Sequence, residues 1–390
     1  VPRRGTGGGV TNAPAGPSAH PDWAIDLDPE SVRSNYRAIA ARVGAGVRIM
    51  PSIKADAYGF GAVAMAKIFE SLGAFALFTG TIREAIAVRG AGVRLPVIMF
   101  GTYLPADLPL LIAHGLVPTV YNRDLARAAS AAATGPTPVY VKVDAGLGRL
   151  GVPLAETLEF VRMVGGLPNL TVEGIYTHLP FARPEQASWA QQRLAAFDSL
   201  LQALDAAGLA VPVSQARASC CIAAGLIDRA NAVCVGHLYY GLSPFADGGF
   251  AGLTGLDPVV RRIRSRLIHV ARHEQGADVA IGGLYGLRRG KTIGVLPIGL
   301  ATGLGQLDPA HPACAVIGGQ PAPLLSVSLE HTTIDLDRIA APRLGDEVLL
   351  VDETLAGGPS LRDFAKAQGR TPLAMMVSLS AREHGGGLGT

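Results

Sequence analysis

Ile53-Lys54-Ala55-Asp56-Ala57-Tyr58-Gly59-Phe60-Gly61 is the stretch on which the fold turns. An apolar run over 47–53 precedes it and reads as a strand. A helical pattern over 62–72 follows it. Lys54 therefore stands where a strand hands over to a helix, the usual place for reactive groups in α/β folds. The chain has five lysines against twenty-nine arginines. An amine can lose its proton and attack a carbonyl, whereas a guanidinium cannot, so a lysine at an apolar strand end asks for its own reason.

Outward from that stretch, strand and helix signals alternate with short connections. Strand candidates lie at 47–53, 75–79, 95–100, 117–121, 139–143, 171–177, 211–215 and 232–235. Helical patterns lie near 62–72, 82–89, 105–113, 123–133, 153–165, 185–208 and 219–226. The strands are near-continuous apolar runs, as expected of a parallel sheet covered on its faces. An eightfold alternation of this length most simply closes into a (β/α)8 TIM-type barrel, with a doubly wound open sheet as the alternative. Upstream, 23–27 is a short apolar strand, and Asp28-Pro29 opens a helix that runs to Val43. Beyond Pro244 the character changes to short β-branched segments between Gly-rich turns: 263–270, 292–297, 324–329, 332–336 and 347–351, with a helix over 362–368. The expected organisation is a tail over 1–21, a barrel over 22–249, a mostly β C-terminal domain over 250–384 and a tail over 385–390.

Composition narrows the function. With 49% hydrophobic residues the 390-residue chain can bury a sizeable core, and no apolar run is long enough to span a bilayer. The net charge of +3 is not gathered into basic clusters, which argues against nucleic acid or a membrane surface as partner. Cys220, Cys221, Cys234 and Cys314 show neither metal spacing nor a disulfide framework, so a reduced, cytoplasmic setting is expected. Residues 1–21 lack the apolar centre of a signal peptide and read as a disordered tail, while the start at Val1 leaves a removed leader open.

If the barrel is right, reactive groups belong just past the strand ends. Lys54 follows the first strand, Asp144-Ala145-Gly146-Leu147-Gly148-Arg149 the fifth, His178 the sixth, Ser219 the seventh and Gly236 the eighth. Loops after the last two strands of such barrels often hold a phosphate, and small residues let backbone N–H groups approach it. An amine opposite a phosphate site is the arrangement of a lysine that carries pyridoxal phosphate. Each residue also has a plain structural reading: a snorkelling lysine, a tight turn, a core histidine, a helix-capping serine. Their joint placement on one face favours the functional one.

At these residues the chain resembles a known family. The stretch 53–59 is similar to the cofactor-lysine motif of the alanine racemases, a family of pyridoxal-phosphate-dependent (fold-type III) amino-acid racemases. Lys142-Val143-Asp144-Ala145-Gly146-Leu147-Gly148-Arg149-Leu150-Gly151, Gly174-Ile175-Tyr176-Thr177-His178 and Tyr240-Gly241-Leu242-Ser243-Pro244 resemble three more of its motifs. Leu284-Tyr285-Gly286 and Leu296-Pro297-Ile298-Gly299 resemble its C-terminal domain. The resemblance implies a racemase acting on alanine or a related small neutral amino acid. It also implies a head-to-tail homodimer with shared active sites, in which strand 22–27 joins the β domain. Lys54 would hold the cofactor and serve as one base, and Tyr285 from the partner would be the base on the opposite face. Arg149 would contact the cofactor's ring oxygen and the substrate carboxylate. Lys142 would orient Arg149, as a carbamate in many relatives, and His178 would support Tyr285 or stack near the ring. Tyr58, Ser219, Gly236 and the backbone of His237 would hold the phosphate, and the backbone of Leu329 would meet the substrate carboxylate.

The sequence also departs from the family. Cys234 stands where an arginine normally faces the pyridine nitrogen. A thiol is neutral and a weak hydrogen-bond partner, so the nitrogen is expected to stay largely unprotonated, with Arg217 the nearby candidate substitute. Leu300 and Leu373 replace two entrance tyrosines, Leu329-Glu330 replaces a Met-Asp pair, and Phe60 stands where histidine is common. A more apolar entrance opens the substrate question. Two other activities stay open: a lyase or aldolase acting on a β-hydroxy amino acid, and a non-catalytic homologue that binds the cofactor.

Overall fold

A computed structural model describes residues 22–245, 255–275, 277–279, 285–287 and 290–380. The expected tails over 1–21 and 385–390 and the boundary at 249/250 lie outside the described residues. Eight parallel strands close a barrel: β2 (Arg48–Pro51), β3 (Leu77–Thr79), β4 (Val97–Met99), β5 (Thr119–Val120), β6 (Thr137–Asp144), β8 (Leu170–Tyr176), β9 (Val213–Gln215) and β10 (Ala232–Val235). A short strand, β7 (Val152–Pro153), pairs with the end of β6. Closure depends on two single bridges, Ser52 to Phe78 between β2 and β3 and Ile98 to Val117 between β4 and β5. The parallel register of Cys234 on Met50 joins the last strand to the first. Around it run α1 (Pro29–Val43), α2 (Lys54–Gly59), α3 (Ala62–Ser71), α4 (Ile82–Gly90), α5 (Leu108–Ala113), α6 (Arg123–Ala132), α7 (Leu154–Gly165), α8 (Ala187–Ala206) and α9 (Ser219–Ala223). No helix among the described residues is long and apolar enough to cross a membrane.

The barrel interior is solid at its base. Met50, Phe78, Ile98, Val117, Tyr140 and Tyr176 form a buried plug, and Phe100 and Cys234 pack on top of it. Phe78 stacks on Phe100 at 4.7 Å between ring centroids. Inward residues of alternate strands fill such a barrel in layers, so free space remains only at the C-terminal mouth.

The second unit is an eight-stranded antiparallel sheet in the order β1-β11-β19-β16-β17-β18-β15-β12. Its strands are β1 (Trp23–Leu27), β11 (Val260–Arg266), β12 (His269–His273), β15 (Lys291–Leu296), β16 (Cys314–Ile317), β17 (Gln320–Val327), β18 (Thr332–Asp335) and β19 (Glu347–Asp352). A separate ribbon pairs β13 (Ala277–Val279) with β14 (Tyr285–Leu287). The first strand of the chain pairs with β11, Ile25 opposite Ile263, which makes it part of the second unit's sheet. The single strand expected over 263–270 is two. β11 joins β1 and β19, then the chain turns at Leu267, whose N–H donates to Asp346, and β12 continues beside β15. The structure also adds β16 and a terminal helix, α11 (Pro372–Ser380), after α10 (Leu361–Lys366). The run Leu373-Ala374-Met375-Met376-Val377 is apolar all round and shows no helical period, so only its packing against α2 reveals the helix.

Candidate active site

The barrel ladder runs one residue past β2 and then stops. Ser52 N–H donates to Val235 and Ile53 N–H to Phe78, which fixes Lys54 at the mouth. The next four residues are not a right-handed helix. Ala55, Asp56, Ala57 and Tyr58 all have φ between 51° and 60°. A left-handed turn in L-residues costs about 1–2 kcal/mol per residue, roughly 4–8 kcal/mol over four. Such strain persists only where the surroundings over-determine it. Here Ala57 N–H donates to Ile53 O, Gly61 N–H to Asp56 O and Ala62 N–H to Asp56 Oδ1. The left-handed turn brings Tyr58 back over the barrel mouth, where its hydroxyl donates to Ser52 Oγ at 3.2 Å.

A cavity of about 390 Å³ opens here. Lys54, Tyr58, Lys142, Arg149, His178, Ser219, Cys234, Gly236 and His237, all expected from the sequence, line it together. Lys54 Nζ lies 5.4 Å from the Phe100 ring centroid, and Lys142 Nζ lies 4.5 Å from that of Tyr176. Burial pushes the Lys54 amine below its ordinary value, and the charge of Arg149 adds to the effect. Burial, then Arg149, lowers Lys142 to about 8. Burial, then Lys54, takes His178 down to about 3 and His237 to about 4. Burial holds the Cys234 thiol up at about 12. Near neutral pH both histidines and the thiol are therefore uncharged. No carboxylate lines the cavity among the described residues, so its field is positive and suits an anion.

Two glycines shape the site. An added Cβ on Gly151 would stand 2.3 Å from Asp144 N, so only glycine lets β7 cross beside β6. Asp144 Oδ1 in turn accepts from Gly146 N–H at 2.9 Å and Gly148 N–H at 3.1 Å, which sets the loop that carries Arg149. Burial opposes ionisation of Asp144, but four backbone N–H groups outweigh it and hold the carboxyl below its ordinary range. A Cβ on Gly236 would stand 2.1 Å from the Tyr58 hydroxyl, so backbone and phenol approach as only glycine allows. Gly236 N–H donates to Ser219 Oγ at 3.1 Å. Ser219 is thus no helix cap; Tyr58, Ser219 and Gly236 form one polar cradle, and Lys54 Nζ lies 5.8 Å from the Tyr58 ring centroid.

The structure redistributes other expectations. Arg217 does not stand in for the missing arginine. Its guanidinium pairs with the buried Asp228 at 2.8 Å, and it is absent from the described cavity wall. A buried charge takes the nearest counter-charge, and Asp228 lies outside the barrel mouth. Leu329 is 66% exposed on the β unit and does not line the cavity. Tyr285 belongs to β14, but its side chain lies outside the described residues, as does Leu284. Leu373 on α11 borders a second cavity, which shares His237 and Pro244 with the first. Leu300 is half-buried in the apolar core of the β unit, and Phe60 stacks on Tyr240 at 4.7 Å, a packing role.

Sequence reading missed Gln215, Thr177 and Glu84. Gln215 and Thr177 line the cavity, and the Thr177 hydroxyl is buried without a partner. Glu84 caps α4 with Thr81, and the Thr81-Ile82-Arg83-Glu84 spacing is a capping box that could have been found. Among the described residues no cluster of His, Cys, Asp or Glu could hold a metal ion.

Known proteins match this architecture along almost the whole chain. The family model for the alanine racemase N-terminal domain matches residues 27–244, and that for the alanine racemase C-terminal domain matches 260–384. The alanine racemase of Desulfovibrio desulfuricans is 30% identical over 345 residues, covering 87% of this chain and 90% of its own. That of Sorangium cellulosum is 31% identical over 345 residues, covering 85% and 89%. Among solved structures, the alanine racemase from E. faecalis superposes with a TM-score of 0.84 at 26% identity, covering 94% of this chain and 98% of its own. That of Clostridium difficile shares the fold with a TM-score of 0.84 at 24% identity, covering 93% and 94%. This chain belongs to the alanine racemase family of pyridoxal-phosphate-dependent isomerases.

Proposed function

We propose that this enzyme interconverts the L and D forms of alanine or a related small neutral amino acid, with Lys54 and Tyr285 as bases on opposite faces of the substrate's α-carbon. Inversion needs a proton taken from one face and another delivered to the other, which two flanking bases do directly. Bound pyridoxal phosphate supplies the electron sink that acidifies the α-proton. The residues present fit it. Lys54 would hold it covalently, and Tyr58, Ser219, Gly236 and the backbone of His237 would hold its phosphate, in a cradle that a single Cβ would fill. Cys234 would face the ring nitrogen as a neutral thiol. The orphaned Thr177 hydroxyl offers a further donor.

Lys54 takes or returns a proton at one face. Its lowered pKa keeps a larger share of the amine unprotonated than an exposed lysine would have. Tyr285 works on the other face. A phenol is weakly acidic in water, so Tyr285 would need a cationic or hydrogen-bonded surrounding, which Arg149 and His178 would supply. Arg149 also binds the substrate carboxylate. Lys142 would orient it as a carbamate, since an ammonium and a guanidinium repel. His178, neutral at working pH, would support Tyr285 or stack near the cofactor ring without adding charge.

A head-to-tail homodimer fits this reading. Every described residue of the cavity wall comes from the barrel, whereas Leu329 stands exposed on the β unit. A second copy would bring the Leu329 backbone and Tyr285 to the mouth. The division into a barrel over 22–249 and a β unit over 250–384 follows the same plan. The four unpaired cysteines support a reducing compartment, the cytoplasm.

The observation that carries this reading is a desolvated lysine amine in one cavity with an anion cradle, and no carboxylate among the described residues of its wall. The test incubates the purified holoenzyme with single enantiomers of alanine and larger neutral amino acids in heavy water. Inversion with deuterium at Cα is expected, and its loss in Lys54→Ala. Release of aldehyde or keto acid without inversion would replace racemisation with lyase chemistry. No turnover across the panel would leave only cofactor binding.

A further inference from the structure

We propose that Glu84 is a positioning residue for Lys54, acting through the left-handed turn that follows it; this rests on Lys54 being the cofactor lysine. Both carboxylate oxygens of Glu84 are committed. Oε1 accepts from Asp56 N–H at 2.8 Å. Oε2 accepts from Thr79 Oγ1 at 2.8 Å and from Thr81 N–H at 3.3 Å. Glu84 therefore ties three places together: the end of β3, the start of α4 and the second residue of the turn beginning at Ala55.

The Asp56 N–H lies in the first turn after Lys54, where backbone N–H groups have no partner within the turn itself and are met by side chains. Ala57 N–H donates to Ile53 O, and Asp56 N–H donates to the side chain of Glu84. Thr79 is fully buried at the barrel's ladder, so the carboxylate is anchored on a rigid element rather than on a loop. Asp56 itself holds the other end of the turn through Ala62 N–H at 2.7 Å. Releasing Glu84 would let the turn relax, and Lys54 and Tyr58 would both lose their aim at the cavity. A plain capping role would need only the reciprocal bonds with Thr81. The bonds to Asp56 and Thr79 go beyond it.

The test compares holoenzymes carrying Glu84→Ala, Glu84→Gln and Thr81→Ala. The readouts are the rate at which hydroxylamine strips the bound cofactor, followed by visible absorption, and the share of the Lys54 peptide that carries cofactor after borohydride reduction. Loss of a charge-assisted bond predicts stripping about ten- to a hundred-fold faster in Glu84→Ala. Glu84→Gln keeps an acceptor for Asp56 N–H and is expected to recover part of the loss. Thr81→Ala removes half of the helix cap but leaves the Asp56 bond, and is expected to stay within about two-fold of the unsubstituted enzyme. Should Glu84→Ala fail to fold, Thr79→Val, which removes the shorter of the two bonds to Oε2 without changing shape, is expected to speed stripping by about three-fold or more. Unchanged stripping in Glu84→Ala, or an equal effect in Thr81→Ala, overturns the positioning role alone. No Lys54 adduct in the unsubstituted enzyme overturns both this role and the reading beneath it.

Discussion

Replacing Gly236 with alanine would attack the phosphate cradle at its tightest point. The new Cβ would lie 2.1 Å from the Tyr58 hydroxyl, 2.5 Å from Cζ and 2.9 Å from Cε2. Carbon contacts settle near about 3.5–4.0 Å, so the ring would have to withdraw by more than about 1 Å. Tyr58 cannot swing away freely. Its hydroxyl is bound to Ser52, and its ring packs against His237 and Tyr240, each at 5.3 Å between centroids. Its backbone is held in the left-handed turn. Overpacking of this kind costs about 1–3 kcal/mol, and each 1.4 kcal/mol is tenfold in affinity. The cofactor dissociation constant should therefore rise about 5- to 150-fold, read by absorbance titration of enzyme stripped of cofactor. Adding Tyr58→Phe removes the nearest clashing atom but not Cζ, so it should relieve part of the effect, with a coupling of at least about 0.5 kcal/mol in the double-mutant cycle. Unchanged affinity in Gly236→Ala, or strict additivity in the cycle, would refute the placement of Tyr58 over Gly236.

Four further outcomes follow from the charges. Arg217→Met leaves Asp228 buried without its cation, so unfolding in urea should show a loss of about 3–5 kcal/mol, largely restored in Arg217→Met with Asp228→Leu. Burial pushes the Asp228 carboxyl from 3.8 up to about 6, so the folded state takes up this proton before the unfolded one does. That group's contribution to stability then rises as pH falls from about 6 to 3.8, and Asp228→Asn should flatten the stability profile in that window. His178, lowered from 6.5 to about 3, favours the folded state above 6.5 and progressively less toward 3; its ring nitrogens should show no titration by NMR between about pH 5 and 8. At pH 8, iodoacetamide should label the exposed Cys314 well before the half-buried Cys234, whose thiol is held at about 12; mass mapping that found Cys234 labelled first would contradict this order.

Much of this site was legible from spacing because a barrel converts strand order into position. Once eight strands are counted, Lys54, Arg149, His178, Ser219 and Gly236 must share a face, whatever lies between them in sequence. Glu84 escaped notice because its signature is that of an ordinary helix cap, and its second bond crosses to Asp56, twenty-eight residues back. Arg217 misled for the opposite reason: near in sequence to the site, it turns to Asp228 instead. α11 was silent because an all-apolar run carries no period.

By itself the sequence determined the order of elements, the barrel with its β unit, and which residue types stand at the strand ends. Local propensity and hydrophobic patterning act over a few residues and survive in the chain's linear order. Only the tertiary structure decided the hand of the turn after Lys54, the approach of Tyr58 to Gly236 and the neutral state of His178 and Cys234. Each depends on partners distant in sequence and on burial, and burial is a property of the packed molecule.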